Sequence, residues 1–404
     1  MNVDVNTSSA GSPGNEAEEK IPKRDWVRLP ALSLLTMCLL VISTELIARK
    51  LYSASTTRLA SCLVLDDPST GPRGVPNCVC SEKLPESSWI EYRLNHCGHR
   101  AGTECGAKPP GAYRIVMTGS SVAMGERVQQ EESFAALLPI KLSSETGHTV
   151  QLYNESIGWG FSHNTDLRFN EVLAAKPDLI LWILTPMDIQ RSSFSLPAKT
   201  ESVHGTSGTL PQRALRFLAA RCSESGTVLL LRHLLYQSSS IFTKSHLMGG
   251  DDGTGNFGGE DGTGFLRVAQ GSAWNSHLQQ FDRDAMDIER RSKASGIPIV
   301  VTLVPDRVQA AMISKGEWPQ GYDPYKLNGE LRDIVVRHGG TYLDILADFR
   351  AVPTSEQYYF PVDGHPNARG HALISELLAK ELTRGAVPAL KTASQLQLAS
   401  GEGR

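Results

Sequence analysis

Two segments of this chain have the residue types and surroundings of a hydrolytic site. Ser120 and Ser121 lie in TGSSVAMG, at the end of YRIVMTG, an apolar run that we predict to be a buried strand. Asp363 and His365 stand two residues apart in FPVDGHPNARGH, just before a predicted helix. A serine is a poor nucleophile unless a base accepts its proton, and a histidine base works best when a carboxylate orients its ring. The combination predicts nucleophilic catalysis by a serine of this turn.

Each segment has a simpler interpretation when it is taken alone. Serines at such turns often cap helices, and an Asp-x-His sequence is also typical of a turn with a helix cap. A phosphate-binding loop would need Gly-Lys-Ser/Thr, and TGSSVAMG contains no lysine. A helix that begins at the serine turn leaves backbone N–H groups unpaired, and a developing oxyanion can use them. Taken together, the two segments favour the catalytic interpretation.

The elements that must position these residues alternate between strand-like and helix-like patterns. We predict strands at 113–119, 150–156, 178–186, 296–305 and 340–346. We predict helices at 132–147, 163–175, 211–221, 273–294, 324–337 and 366–384. Pro366 is placed as the first residue of the last helix. The alternation predicts a parallel sheet with helices on both faces, and reactive groups collect at the carboxyl ends of such strands.

The motifs resemble those of the SGNH (GDSL-type) hydrolase superfamily, in its membrane-anchored bacterial branch. The similarity begins at YRLNHCGHR and GAYRIVMTGSSVAMGERVQQEESFAALL. It continues through YNESIGWGFSHNTDLRFNEVLAAKPDLILWILTPMD to DGHPNARGHALISELLAKEL. The resemblance implies a flavodoxin-like three-layer α/β/α sandwich with a central parallel sheet.

The resemblance also implies a role for each matching residue. Ser121 would be the nucleophile, with Ser120 in the position of the family's aspartate. His365 would be the base and Asp363 would orient it. The backbone N–H groups of Ser121 and Gly158 would stabilise the oxyanion. The implied activity needs no metal and no organic cofactor.

One position departs from the family pattern. The third block of the family ends in Asn-Asp, whereas TPMD puts Met187 before Asp188, and methionine has no donor. Losing one oxyanion donor costs about a hundred- to a thousandfold in rate. Either His163 or Asn164 supplies a replacement, or the site is slow, or it only binds.

The resemblance therefore implies a serine esterase or acyl transferase that acts on ester groups of cell-envelope carbohydrate or lipid, with O-acetyl groups among the candidates. The alternative is a catalytically impaired SGNH-fold binding protein of the cell envelope.

An apolar segment at 29–48 predicts a single membrane-spanning helix. Roughly 20 apolar residues are needed to cross a bilayer, and LPALSLLTMCLLVIST carries no charge. A cleaved signal peptide is the alternative, although the basic residues before the segment begin only at Lys20, after an unusually long polar head. We expect the large domain to lie on the periplasmic or extracellular side. The net charge of −3 gives no indication of a nucleic-acid partner.

The cysteines indicate an oxidising compartment. Cys38 lies in the apolar segment, and six cysteines lie outside it: Cys62, Cys78, Cys80, Cys97, Cys105 and Cys222. An even number that is clustered in this way predicts local disulfides. A zinc site is the alternative interpretation, with ligands drawn from Cys78, Cys80, Cys97, His99 and Cys105.

The composition along the chain predicts five successive regions. These are a cytoplasmic tail at 1–28, the transmembrane anchor at 29–48, a Cys-rich neck at 53–110, the hydrolase-like domain at 111–385 and a disordered tail at 386–404. A Gly/Asp-rich insertion at about 245–265 is expected to be a flexible surface loop, with a lid or a calcium-binding turn as alternatives.

Overall fold

The computed structural model describes residues 22, 24–55, 57–191, 225–248 and 263–391. The chain divides into two units, Met1–Ile47 and Ala48–Arg404, which are described separately. The helix predicted at 211–221, residues 249–262 of the insertion and residues 392–404 of the tail lie outside the described residues.

Strands and helices alternate after residue 110, as the sequence predicts. The described strands are β1 Leu63–Asp67, β2 Gly71–Gly74, β3 Val79–Lys83, β4 Trp89–Arg93, β5 Tyr113–Thr118, β6 Val150–Asn154, β7 Leu179–Leu184, β8 Ile299–Leu303 and β9 Thr341–Leu343. The described α-helices are α1 Asp25–Leu51, α2 Ser121–Met124, α3 Phe134–Thr146, α4 Ser162–Ala174, α5 Pro186–Gln190, α6 Gly226–Leu235, α7 Ser239–Met248, α8 Ser272–Ala294, α9 Arg307–Lys315, α10 Lys326–His338, α11 Leu346–Phe349 and α12 Ala368–Glu381.

The central sheet has five parallel strands in the order β6-β5-β7-β8-β9. This order is the flavodoxin-like one, in which the chain starts beside the middle of the sheet and reverses direction once. Helices α3 and α12 pack together, and α4, α8 and α10 form a second packed group. The predicted flavodoxin-like α/β/α fold is confirmed. The reversal places the ends of β5 and β7 at the switch point, where ligands bind in folds of this type.

The strands are continuous apolar runs because both faces of the sheet are covered. All six residues of β7, LILWIL, are buried, and so are all five of β8. Parallel strands covered by helices on both sides show this pattern, whereas a half-exposed strand alternates. The long helix α8 instead buries one stripe, which includes Trp274, Phe281 and Ile288.

The region predicted as an irregular neck at 53–110 is ordered and belongs to the larger unit. It folds into two antiparallel hairpins, β1–β2 and β3–β4. Their buried side chains, Tyr92 among them, form a second apolar cluster with Met124 and Ile157. The burial of β3 and β4 alternates residue by residue, as expected for strands with one covered face. The hairpins therefore pack against the turn that follows β5 and support it.

Two disulfides join residues of this region, Cys62–Cys78 and Cys97–Cys105. Among the described residues, Cys38 and Cys80 have no disulfide partner. The zinc site considered from the sequence does not fit this pairing, because three of its possible ligands are disulfide sulfurs. Cys222 lies outside the described residues.

The C-terminal part of the large unit differs from expectation in two places. Helix α12 begins at Ala368 and not at Pro366, because the Asn367 side chain accepts the N–H of Gly370 and caps the helix. The chain after residue 386 stays ordered as far as Lys391, with Leu390 fully buried. Packing of Leu390 into the core explains why the disorder expected from 386 is absent there.

Helix α1 is the one described helix that is long and apolar enough to cross a membrane. It has 27 residues and a mean hydropathy of 2.1 over its most apolar part. Most of its leucine, isoleucine and valine side chains are exposed. A signal sequence near the N-terminus has the same length and composition.

Candidate active site

The serine turn is shaped by a glycine that has no room for a side chain. Gly119 has a φ of +154°, and a Cβ there would lie 2.5 Å from the carbonyl oxygen of Ile183. The chain then enters α2 with Ser121 as its first residue and leaves at Gly125, which is left-handed with a φ of +78°. A helix start leaves its first N–H groups without intrahelical partners, so the N–H of Ser121 stands beside its own hydroxyl.

The structure brings Ser121, His365 and Asp363 into one hydrogen-bonded series. The Nε2 atom of His365 lies 2.9 Å from Oγ of Ser121, and its Nδ1 atom lies 2.6 Å from Oδ1 of Asp363. The main-chain N–H of His365 also donates to Oδ1 of Asp363 at 3.2 Å. With its proton on Nδ1, His365 donates to the carboxylate and offers Nε2 to the serine hydroxyl. The geometry therefore suits proton transfer from Ser121.

Asp363 is held from two other directions. Nε of Arg127 donates to its Oδ2 at 3.1 Å, and its main-chain N–H donates to Oε2 of Glu86 at 2.7 Å. Burial opposes ionisation of this carboxyl, but the charges of His365 and then of Arg127 outweigh burial and hold the pKa of Asp363 well below its usual range. Asp363 is therefore an anion across the neutral pH range.

Ser120 faces away from this series and bonds to Asp188. Asp188 is buried, and its Oδ2 accepts the Thr185 hydroxyl at 2.6 Å and the Thr185 N–H at 2.7 Å. Burial raises the pKa of Asp188 to about 6, although hydrogen bonds from Thr185 and Ser120 favour the anion. Ser120 thus links the serine turn to α5, and Ser121 is the serine that contacts histidine.

A small cleft of about 60 Å³ opens beside Ser121. Its other described lining residues are Val122, Thr185, Pro186, Met187, Gln190, Phe265, Pro305, Asp306, Tyr359, Gly364, His365 and Pro366. Most of these side chains are apolar, so an acyl chain and not a charged group suits the cleft. Met187 lines it, in the position where the family has asparagine.

The structure does not bring Gly158 to this cleft. The N–H of Gly158 donates to Sδ of Met124 at 3.2 Å, and Gly158 lies outside the described lining. The oxyanion role expected for Gly158 would require this hydrogen bond to be exchanged for one to the substrate. The N–H of Ser121 needs no such exchange.

Neither residue considered as a substitute donor lies in the described lining. Nδ1 of His163 bonds to Oδ1 of Asp284 at 2.9 Å, between α4 and α8. The Asn164 side chain packs against Gly71 of the first hairpin. Both side chains point away from the cleft, because α4 presents His163 to α8 and Asn164 to the first hairpin. Gln190 on α5 does line the cleft, and its side-chain amide was not among the donors expected from the sequence.

Two groups of side chains among the described residues have metal-ligand types. His163, Asp166 and Asp284 place ligand atoms within 4.8 Å of one another, but Asp166 is paired with Arg291. His96 lies beside Cys97 and Cys105, whose sulfurs are joined in a disulfide. Neither group includes a residue of the Ser121 cleft.

The supporting residues Glu86, Arg100 and Arg127 were not predicted. Arg100 is fully buried and donates to the carbonyl groups of Gly125 and Val128, which fixes the turn after α2. Arg100 lies in YRLNHCGHR, one of the segments that resemble the SGNH superfamily. That position was the one signal in the sequence that could have indicated Arg100. Glu86 lies in a polar turn, and nothing local distinguishes it.

A serine, a histidine and a carboxylate in series at the carboxyl edge of a flavodoxin-like sheet make up the arrangement of a serine hydrolase. No known family profile matches the chain, and no curated protein sequence matches it. Solved structures that it resembles include esterases and lipases.

Three of these structures illustrate the likeness. A catalytic mutant of the acetylxylan esterase from Geobacillus stearothermophilus is 13% identical, over 68% of this chain and 96% of that one, with a TM-score of 0.38. The psychrotrophic esterase from Pseudoalteromonas sp. is 12% identical, over 67% and 96%, with a TM-score of 0.35. The lipase/acylhydrolase from Enterococcus faecalis is 12% identical, over 67% and 94%, with a TM-score of 0.34. These likenesses are remote, and the assignment of the fold rests on the strand order of the chain itself.

Proposed function

We propose that this protein is a serine hydrolase of the SGNH type that cleaves or transfers ester acyl groups, with Ser121 as its nucleophile. The observation that carries the proposal is the series Ser121 Oγ, His365 Nε2, His365 Nδ1 and Asp363 Oδ1, with separations of 2.9 Å and 2.6 Å. A catalytic base must lie within hydrogen-bond reach of the proton that it removes, and His365 does.

The proposed reaction begins with attack by Oγ of Ser121 on the ester carbonyl carbon, while its proton passes to Nε2 of His365. Asp363 stabilises the imidazolium, and the N–H of Ser121 donates to the tetrahedral oxyanion. Collapse of this intermediate breaks the bond to the alcohol, which leaves with the proton from His365. Water completes hydrolysis of the acyl-enzyme by the same steps, and a second alcohol in its place completes a transfer.

The lining of the cleft supports an ester acyl group as the substrate. Val122, Pro186, Met187 and Phe265 border the space beside Ser121, so the acyl group would lie among apolar side chains. We propose esters of a carbohydrate or a lipid of the cell envelope, with O-acetyl esters among them. No metal or organic cofactor enters the proposed steps.

A second candidate is a binding protein that retains the fold with impaired catalysis. Two observations favour it: Met187 supplies no donor to the cleft, and the N–H of Gly158 is bonded to Met124. Such a site would bind the ester and turn it over slowly, if at all.

We further propose that α1 anchors the protein as a single-pass membrane helix, with the large unit outside the cytoplasm. The length and hydropathy of Asp25–Leu51 support the anchor, and the two disulfides support an oxidising compartment. A reporter that is active only in the cytoplasm, fused after Arg404, is expected to give no signal. A strong signal would show that the large unit lies in the cytoplasm.

The catalytic proposal is tested with a fluorophosphonate probe and a panel of short-chain and acetyl-sugar esters. The full chain in detergent should react with the probe and hydrolyse at least the shortest esters. Ser121→Ala should abolish both signals, whereas Ser120→Ala should retain a substantial part because Ser120 bonds to Asp188. A folded wild-type protein that neither reacts with the probe nor hydrolyses esters would favour the binding protein.

A further inference from the structure

Arg127 contacts the carboxylate of Asp363 on the side that His365 leaves open. Its Nε donates to Oδ2 at 3.1 Å, whereas Oδ1 receives the Nδ1–H of His365 at 2.6 Å. The Arg127 side chain is only 15% exposed. Both oxygens of Asp363 therefore have a fixed partner, and rotation of the carboxylate would break one of the two bonds.

The backbone of Arg127 is held in an unfavourable conformation. Its φ is +74°, in the left-handed region that residues with long side chains seldom adopt. The Tyr92 hydroxyl accepts the N–H of Arg127 at 3.1 Å, and Arg100 binds the carbonyl groups on either side of it, at Gly125 and Val128. Such strain persists where the surroundings fix it, and it is concentrated at functional sites.

Several charged or titratable groups from other elements face this pair. Oε2 of Glu126 lies 3.4 Å from Nη1 of Arg127, and Oε2 of Glu82 on β3 lies 3.7 Å from it. The carboxylate of Glu86, in the second hairpin, accepts the main-chain N–H of Asp363. Arg127 is thus the cation between Asp363 and two buried glutamates.

We propose that Arg127 is a positioning residue of the hydrolysis proposed above: it fixes the carboxylate of Asp363 and, through Asp363, the ring of His365. The inference rests on the proposed function, since it assigns Arg127 a role in the activation of Ser121.

Loss of the Arg127 guanidinium would leave Oδ2 of Asp363 without its charged donor. The carboxylate could then rotate away from Nδ1 of His365, and Nε2 would no longer be held toward Oγ of Ser121. A lysine ammonium can restore a charged donor to Oδ2, whereas a glutamine cannot restore the charge.

The test measures how fast a fluorophosphonate probe labels the full chain in detergent at neutral pH. This reaction reports activation of Ser121 and needs no knowledge of the natural ester. The variants are Arg127→Gln, which removes the charge, and Arg127→Lys, which keeps it. Arg93→Gln on β4 is the matched control, because Arg93 is exposed and pairs only with Glu91 among the described residues.

We expect Arg127→Gln to label about ten- to a hundredfold more slowly than the wild type. Arg127→Lys should recover most of the wild-type rate because it restores a charged donor, and Arg93→Gln should match the wild type. A folded Arg127→Gln protein that labels at the wild-type rate, or a folded Arg127→Lys protein that is as slow as Arg127→Gln, would overturn the proposal.

Two further measurements distinguish failure of the proposed hydrolase function from failure of a variant to fold. If the wild type is not labelled at all, the proposed hydrolase function fails before Arg127 is tested. If Arg127→Gln does not fold, as judged by circular dichroism, the charge-balanced double variant Glu126→Gln with Arg127→Gln takes its place. It should label at least about tenfold more slowly than Glu126→Gln alone, because Oδ2 of Asp363 loses its partner. Equal rates for these two proteins would overturn the proposal.

Discussion

The carboxylate of Glu86 accepts the main-chain N–H of Asp363 at 2.7 Å, although 277 positions of the chain separate the two residues. The same carboxylate accepts the N–H of Val362 at 2.9 Å, and its other oxygen lies 2.7 Å from Nδ1 of His233. A buried side chain from the second hairpin thus fixes the backbone of the loop that carries the proposed base.

We expect Glu86→Ala to slow probe labelling of Ser121 by about tenfold or more, because the loop can then move by enough to misplace His365. Unfolding should also become easier, since two N–H groups lose a charged acceptor. Labelling rate and thermal denaturation measure the two effects. Glu91→Ala, at an exposed position of β4, is the control, and equal behaviour of the two variants would contradict a role for Glu86 at the site.

Met187→Asn should raise the rate of ester hydrolysis. The amide would line the cleft beside Ser121, where the family has its third oxyanion donor, and such a donor is worth about a hundred- to a thousandfold in comparable sites. Steady-state kinetics on an acetyl ester measures the gain, which should appear in kcat more than in KM. Met187→Leu is the control for shape. No gain, together with a large loss in Gln190→Met, would show that Gln190 already serves as the donor.

Glu289 makes the stability of the protein depend on pH. Burial raises its pKa to about 7, and its Oε1 has no partner among the described residues. The ordinary pKa of a glutamate is about 4.5, so between these values the unfolded chain has lost the proton and the folded chain still holds it. The free energy of unfolding therefore falls as pH rises through this window, and the loss is complete above pH 7.

Glu289→Gln removes this ionisation and should stabilise the protein at pH 8 by up to about 3 kcal/mol, with a much smaller effect at pH 5. Denaturant titrations at the two pH values measure the difference. The exposed Glu317→Gln is the control and should change neither value. An equal effect of Glu289→Gln at both pH values would show that its pKa is not raised.

Thiol alkylation of the denatured, unreduced protein should modify Cys38 and Cys80 and should leave Cys62, Cys78, Cys97 and Cys105 unmodified. After reduction, the last four should react as well. Peptide mass spectrometry identifies each site. Alkylation of those four without a reductant would indicate a reducing compartment and would remove the support that the disulfides give to an extracytoplasmic domain.

The five strands of the central sheet were predictable because each is a short apolar run bounded by glycine, proline or polar residues. Runs such as LILWIL carry the signal of a strand that is covered on both faces. The hairpin formed by Val79–Lys83 and Trp89–Arg93 was missed, although the burial of its strands alternates as strands require. Cysteines, prolines and glycines around them made the region look irregular, and the alternation runs for only five residues in each strand.

The contacts that hold the site were not predictable from local pattern. Ser121 and His365 follow strand ends or precede a helix, and their motifs identify them. Arg127 and Glu86 act through hydrogen bonds to residues 236 and 277 positions away, and no periodicity encodes such a distance. The hydrogen bond from the Gly158 N–H to Sδ of Met124 likewise depends on how Met124 packs against the hairpins.

The second apolar cluster, in which the hairpins pack against Met124 and Ile157, has a consequence for how the molecule can be divided. A fragment that starts at the first strand of the large sheet would keep the proposed nucleophile, the proposed base and the whole parallel sheet. It would lack Glu86, Tyr92 and Arg100, and it would expose Met124 and Ile157 to water. The hairpins are therefore not a detachable spacer before the parallel sheet. A soluble version that retains the site has to begin upstream of Leu59, and exchange of the proposed anchor for another sequence is tolerable only before that point.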